Sequence, residues 1–231
     1  MKRVENAVLA ACGSLDHPLA EALLVRAADS KAFVDFVEAH ASKLRKKVRL
    51  AVSDEERADL LAELDVATFL GRDRRLVLTY EPFHAPDRRG PDFKVVFKGH
   101  SVFHVEVTRP RLRGVSHDQA VWKVARVLCD KVGQLPPGAA NLLVIVVPPE
   151  SNTADLVPEA VGTIERAAGN AASSARLAGV KTYGRDRARL GAVVLWSSTE
   201  SGRPSSVRTW LEPRAKHPVS PDVLKVFART E

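Results

Sequence analysis

The chain has 231 residues, 45% of them hydrophobic and 27% charged. This suits one globular domain that buries its own core, and excludes a disordered chain, a fibrous repeat or a disulfide scaffold, since the cysteines are only Cys12 and Cys129. The net charge of +7, from 35 Lys+Arg against 28 Asp+Glu, favours a polyanionic partner such as nucleic acid.

Residues 17–28 and 31–48 read as helices, with Phe33, Phe36, Val37 and Leu44 on one apolar stripe. Ser53, with Glu56 three residues later, opens a third helix through a capping box. Leu60, Leu61, Leu64, Ala67 and Leu70 form its apolar face, and Gly71 stops it. From Arg75 the period becomes that of strands, predicted at 76–80, 93–97 and 102–108. Pro82, Pro86, Gly90 and Pro91 mark an irregular connection, and Gly99 and His100 a hairpin turn. A helix runs from Ser116 or His117 to about Val132, ended by Gly133, Pro136, Pro137 and Gly138. The apolar run from Leu142 to Val147 suits a central strand covered on both faces. A helix over 155–169, a buried strand over 192–196 and an outer strand over 207–211 follow, with 169–179 ambiguous.

This order predicts an α/β fold with a mixed central sheet flanked by helices, in a single domain over 1–231. It divides into a helical N-terminal extension over 1–52, a core over 53–200, and a strand and helix over 201–231. No apolar run reaches the ~18 residues of a membrane span. Lys2 and Arg3 precede only a weak apolar stretch over 7–12, so a cytoplasmic location is expected.

Polar residues interrupt the pattern in one place. Alternation puts Phe93, Val95 and Phe97 on one face of the second strand, and Asp92, Lys94 and Val96 on the other. In the third strand Phe103, Val105 and Val107 oppose His104, Glu106 and Thr108. Asp92 and Glu106 therefore meet on one side of the hairpin. Carboxylates beside apolar positions need exposure, neutralisation, hydrogen bonds or a cation. A divalent cation such as Mg²⁺ relieves the repulsion within such a pair. On the following helix, the row Ala120, Val124, Val127 continues to Lys131 and Gln134, placing both at the inward edge. A snorkelling lysine and an amide capping a carbonyl are the simpler alternative.

The stretch GPDFKVVFKGHSVFHVEVTR, residues 90–109, resembles the PD-(D/E)xK phosphodiesterase superfamily, the restriction-endonuclease-like fold. Pro91 and Asp92 match the first half of the motif; Glu106, Val107 and Thr108 match the second, with threonine in the lysine position. The resemblance implies a restriction-endonuclease-like mixed sheet and divalent-metal-dependent hydrolysis of nucleic acid, DNA ahead of RNA. It implies Asp92 and Glu106 as ligands of Mg²⁺ or Mn²⁺, joined by an acid from the preceding helix, for which Glu63 is chosen over Glu56 and Glu81. Lys131 or Lys94 would replace the motif lysine, and Gln134 would orient water or backbone. The alternative is a degenerate member that binds nucleic acid without cleaving it. A homodimer making paired cuts is one arrangement compatible with the family.

Basic residues gather in several places. Lys43, Arg45, Lys46, Lys47 and Arg49 lie at a helix end; Arg72, Arg74 and Arg75, and later Arg185, Arg187 and Arg189, each precede a strand. Arg109, Arg111 and Arg113 adjoin the acidic pair and are the expected phosphate contacts. His84, His100, His104 and His117 lack the spacing of a zinc site, and no glycine-rich phosphate loop is present. Cys129 reads as a small core residue, and Trp122, Trp196 and Trp210 as packing residues.

Overall fold

Strand alternation divides the chain's apolar residues into two sets, and each set meets its own layer of helices. A computed structural model describes residues 2–83, 90–151, 153–170, 175–198 and 204–228. Pro86 and His84, from the predicted connection, lie outside the described residues, as do 171–174 within the ambiguous stretch.

Six strands form one mixed sheet in the order β1-β2-β3-β4-β5-β6. They are β1 Leu76–Tyr80, β2 Phe93–Phe97, β3 Ser101–Thr108, β4 Ala140–Val147, β5 Ala192–Ser198 and β6 Pro204–Leu211. The first three strands are antiparallel; β3, β4 and β5 are parallel, and β6 returns antiparallel to β5. Helix α5 (His117–Val132) links β3 to β4, and α6 (Leu156–Ala168) with α7 (Val180–Asp186) links β4 to β5. Parallel neighbours need such crossovers, whereas the β2–β3 hairpin closes on Lys98 and Gly99, both at positive φ (50° and 76°).

On one face, Phe93, Val95, Phe103, Val105, Val144 and Trp196 pack against α1 (Lys2–Cys12), α2 (Ala20–Asp29), α3 (Lys31–Leu50), α4 (Asp54–Gly71) and α8 (Pro221–Phe227). On the other, Leu143, Ile145, Val193 and Leu195 pack against α5, α6 and α7. The central strands β4 and β5 are covered on both sides, which explains their continuous apolar runs. Strands β1 and β2 are covered on one side only, leaving Val77, Thr79 and Lys94 exposed.

The predicted caps are formed. The Ser53 hydroxyl accepts from the Glu56 N–H (3.2 Å), and Glu56 accepts from the Ser53 N–H (2.9 Å). Ser116 and Gln119 make the same reciprocal pair at α5. Three features differ from the expected elements. Residues 2–12 form a helix, because Ala7, Val8 and Ala11 pack as a short buried stripe. Helix α3 breaks locally at His40 (φ −120°, ψ 16°). Residues 180–189 form α7 and a 3₁₀ turn, and Arg187 there is not surface charge. It is buried, with Nη2 3.0 Å from Glu212 and Nη1 2.9 Å from Glu165.

The fold is therefore α/β, a six-stranded mixed sheet with helices on both faces. Among the described residues, no helix is long and apolar enough to cross a membrane.

Candidate functional site

The register pairs Tyr80 with Phe93 and Phe93 with Val105. The end of β1, the start of β2 and the end of β3 consequently share one edge of the sheet. It is also the C-terminal edge of the parallel strands, where open α/β sheets commonly bind ligands. Asp92, just before β2, lies beside β3 and accepts the Val107 N–H at Oδ2 (2.8 Å).

Two helices bring side chains to this edge from opposite layers. From α5, Lys131 Nζ lies 2.5 Å from Glu106 Oε1. From α4, Glu63 reaches the end of β1, where its Oε2 accepts the Tyr80 hydroxyl (2.9 Å) and the Lys47 ammonium of α3 (2.6 Å). Lys47 Nζ also lies 3.3 Å from Glu81 Oε1 and 3.9 Å from Asp92 Oδ1, and 4.9 Å from the Tyr80 ring centre. One turn earlier, Lys43 donates to the Tyr80 and Glu81 carbonyls (2.6 and 3.0 Å). These bonds, with the Glu81 N–H donating to the Asp92 carbonyl (2.7 Å), hold Glu81 in the left-handed region at φ 44°. A non-glycine residue there stores strain and aims its carboxylate at Lys47.

The cluster is crowded with negative charge. Burial first, then Glu63 and Glu106, raise the Asp92 carboxyl well above the ordinary range, opposed by Lys47 and the Val107 N–H. Burial also raises Glu106, against the pull of Lys131. Burial alone would lower the Lys47 ammonium, but Glu63, Asp92 and Glu81 outweigh it and hold it above an ordinary lysine. Burial and Glu63 push the Tyr80 phenol up, so it remains a hydrogen-bond donor. The two ammonium groups thus do not outweigh burial and repulsion at Asp92 and Glu106.

The donors suit a hard divalent cation. They are carboxylate oxygens, and a cation beside Asp92 and Glu106 would offset the burial that raises both and the repulsion that adds to it. Among the described residues, no group of three or more His, Cys, Asp or Glu side chains is arranged so that it could hold a metal ion, so a cation here would rest on fewer protein ligands. Mg²⁺ is commonly held by one or two carboxylates and retains several waters.

Of the residues singled out from sequence, Asp92, Glu106, Glu63 and Lys131 come together. Others do not. The Gln134 amide donates to the Asp130 carbonyl (3.0 Å), capping α5 instead of facing the carboxylates. Lys94 is exposed opposite His104, whose imidazole is lowered by burial and then by that lysine. The arginines expected to contact phosphate are engaged by acids. Arg109 binds Asp59 (3.0 Å) and Glu55, Arg111 lies 3.1 Å from Glu55, and Arg113 3.9 Å from Glu150. Lys47 and Tyr80 were not anticipated. The available signal was the i, i+4 row Lys43/Lys47 beside the buried Leu44 and Val48.

Comparison with protein-family models, curated proteins and solved structures finds no match to this chain.

Proposed function

We propose that the chain is a divergent PD-(D/E)xK protein with a restriction-endonuclease-like core, and that it hydrolyses phosphodiester bonds in nucleic acid, DNA before RNA, with Mg²⁺ or Mn²⁺. The observation that carries this reading is the meeting of Asp92, Glu106 and Glu63, from three elements, with Lys131 and Lys47 at the C-terminal edge of the parallel strands. Asp92 and Glu106 are the residues suited to hold the cation, with Glu63 behind them. When bound, the cation supplies charge neutralisation for phosphoryl transfer.

The remaining work falls to the chain's own groups. Thr108 carries no ammonium, so the motif-lysine role passes to lysines reaching in from helices. Lys131, bound to Glu106, is placed to hold a non-bridging phosphate oxygen. Lys47 and the Tyr80 hydroxyl both donate to the same Glu63 oxygen and so hold that carboxylate in position. The acidic edge would repel a phosphodiester unless these ammonium groups and the cation offset it.

The test is cleavage of labelled duplex DNA and of RNA with Mg²⁺ or Mn²⁺, against an EDTA control. Asp92→Ala and Glu106→Ala are expected to abolish turnover, and Lys131→Ala and Lys47→Ala to lower it by about 10²–10³, as for loss of one electrostatic stabiliser. Metal-independent cleavage, or full activity in Asp92→Ala, would refute the assignment. Binding without cleavage of either polymer would favour a nucleic-acid-binding module on the same fold.

A further inference from the structure

Helix α3 carries two basic rows, and only one of them serves the acidic edge. Its second half, 42–50, holds five cations and no acid. Lys43 and Lys47 turn inward to β1 and the carboxylates. Arg45, Lys46 and Arg49, spaced i, i+1, i+4, are exposed on a neighbouring face. They line a groove of about 550 Å³ between α1 and α3 whose floor is made of Ala10, Ala41 and Ser42. No described residue forms an ion pair or hydrogen bond with these three side chains. The acids earlier on α3, Asp35 and Glu38, are both held by Arg3 (2.5 and 2.6 Å).

Arg45 is also positioned. Gly13, which ends α1 in the left-handed conformation (φ 79°), lets the guanidinium lie against bare backbone; a Cβ there would stand 3.2 Å from Nη2. Small side chains below and unpaired cations above make a concave, positively charged track. Its chemistry matches repeated phosphates and not an acidic side chain, because its cations are spread over more than one helical turn.

We infer that Arg45, Lys46 and Arg49 hold the phosphate backbone of nucleic acid in the α1–α3 groove, taking the role first expected of Arg109, Arg111 and Arg113. The inference rests on the nucleic-acid part of the proposed function but not on cleavage. The groove shares α3 with Lys47, so a strand held there lies one helix face from the acidic edge.

The test measures binding without divalent cation, so that hydrolysis is off. Fluorescein-labelled duplex DNA and single-stranded RNA of mixed sequence are titrated with the full chain between 50 and 200 mM KCl, in EDTA. Each lost phosphate contact makes the negative slope of log K against log salt shallower, by about 0.9 on duplex DNA and about 0.7 on a single strand. The triple variant Arg45→Gln/Lys46→Gln/Arg49→Gln is expected to reduce the magnitude of the slope by about two to three on the preferred polymer. Arg109→Gln/Arg111→Gln/Arg113→Gln is expected to change it by less than about one. Melting temperatures of both triples serve as the folding control; the single substitution Lys46→Glu, on an exposed side chain, provides an independent readout and should weaken binding alone. An unchanged slope in the α3 triple would overturn the inference and leave these cations as favourable charge at a helix C-terminus. Failure of the wild-type chain to bind either polymer would also overturn it. A parallel Mg²⁺ reaction separates the two ideas: salt-dependent binding through α3 without cleavage sustains the groove and removes the hydrolytic reading.

Discussion

Asp92 illustrates what the acidic edge costs the fold. Its carboxyl is half-buried and raised, chiefly by desolvation and then by Glu63 and Glu106. An unfolded aspartate titrates near ~3.9. Between that value and the raised folded one, the native chain binds more protons than the unfolded chain, so stability falls as pH rises through this window. Asp92→Asn removes this titration yet keeps an oxygen for the Val107 N–H. In EDTA at pH 7.5 it should be more stable than wild type by about 1 kcal/mol, or roughly 2–4 °C in melting temperature. The gap should close near pH 4, while any metal-dependent activity is lost. Thermal unfolding of both proteins across pH 4–8 checks this; an Asn variant less stable at pH 7.5 would mean that Lys47 already compensates Asp92 in full. The same residues show what a sequence discloses. Asp92 and Glu106 were legible because strand alternation assigns them a side, and Glu63 because it lies on the helix before the sheet. Lys47 was hidden, since a run of five cations says nothing about which one turns inward until Leu44 and Val48 are known to be buried. Gln134 takes the simpler of its two readings, the capping amide, because the row through Val124 and Val127 ends where the helix ends and a terminal amide finds a free carbonyl first.

At the scale of elements, the question is what fixes α4, which presents Glu63. Its start is held by the Ser53–Glu56 box, and its middle by a buried ion pair to α2. Arg26 Nε lies 2.5 Å from Asp65 Oδ1 and Nη2 3.1 Å from Oδ2, while Nη1 donates to the Ala22 carbonyl (3.0 Å). Replacing one member strands a buried charge, whereas replacing both with apolar groups of similar volume does not. Asp65→Ala should therefore cost about 3–5 kcal/mol, and Arg26→Met/Asp65→Leu should recover most of it. Denaturant titrations of the two variants decide; equal losses would show that the pair contributes packing alone. Elements such as α4 were legible because cap, apolar face and stop agree. Helix α1 was not, because its stripe is mostly alanine and valine with a charged start. Nor was α7, whose surroundings include the buried Arg187–Glu212 pair, which joins the turn before β5 to the end of β6 and has no local signature.

For the whole molecule, the two helical layers are not equivalent. The layer of α5, α6 and α7 packs on β4 and β5, with Trp210 of β6 at its margin. The opposite layer is built largely from residues 1–52, read from sequence as an N-terminal extension, together with α4 and α8. There Phe36 meets the rings of Tyr80 (5.5 Å) and Phe93 (6.3 Å), and Leu19, Leu23, Phe33, Leu44 and Val48 are nearly inaccessible. These residues share one core with the strands that carry Asp92 and Glu106. Removing 1–52 would leave that sheet face covered by α4 and α8 alone, and at about 25 cal/mol per Å² the apolar area lost by five such side chains approaches ~10 kcal/mol. That equals the stability of an entire small domain. A chain beginning at residue 53 should therefore lack fixed tertiary structure: retained far-UV but lost near-UV circular dichroism, with binding of a hydrophobic dye. The full chain should unfold in one transition seen alike by both signals. A truncated chain with native near-UV signal would show that 53–231 forms a core of its own. If it instead collapses, Lys47 cannot be separated from the fold: the helix supplying its ammonium to the acidic edge also closes the core beneath it.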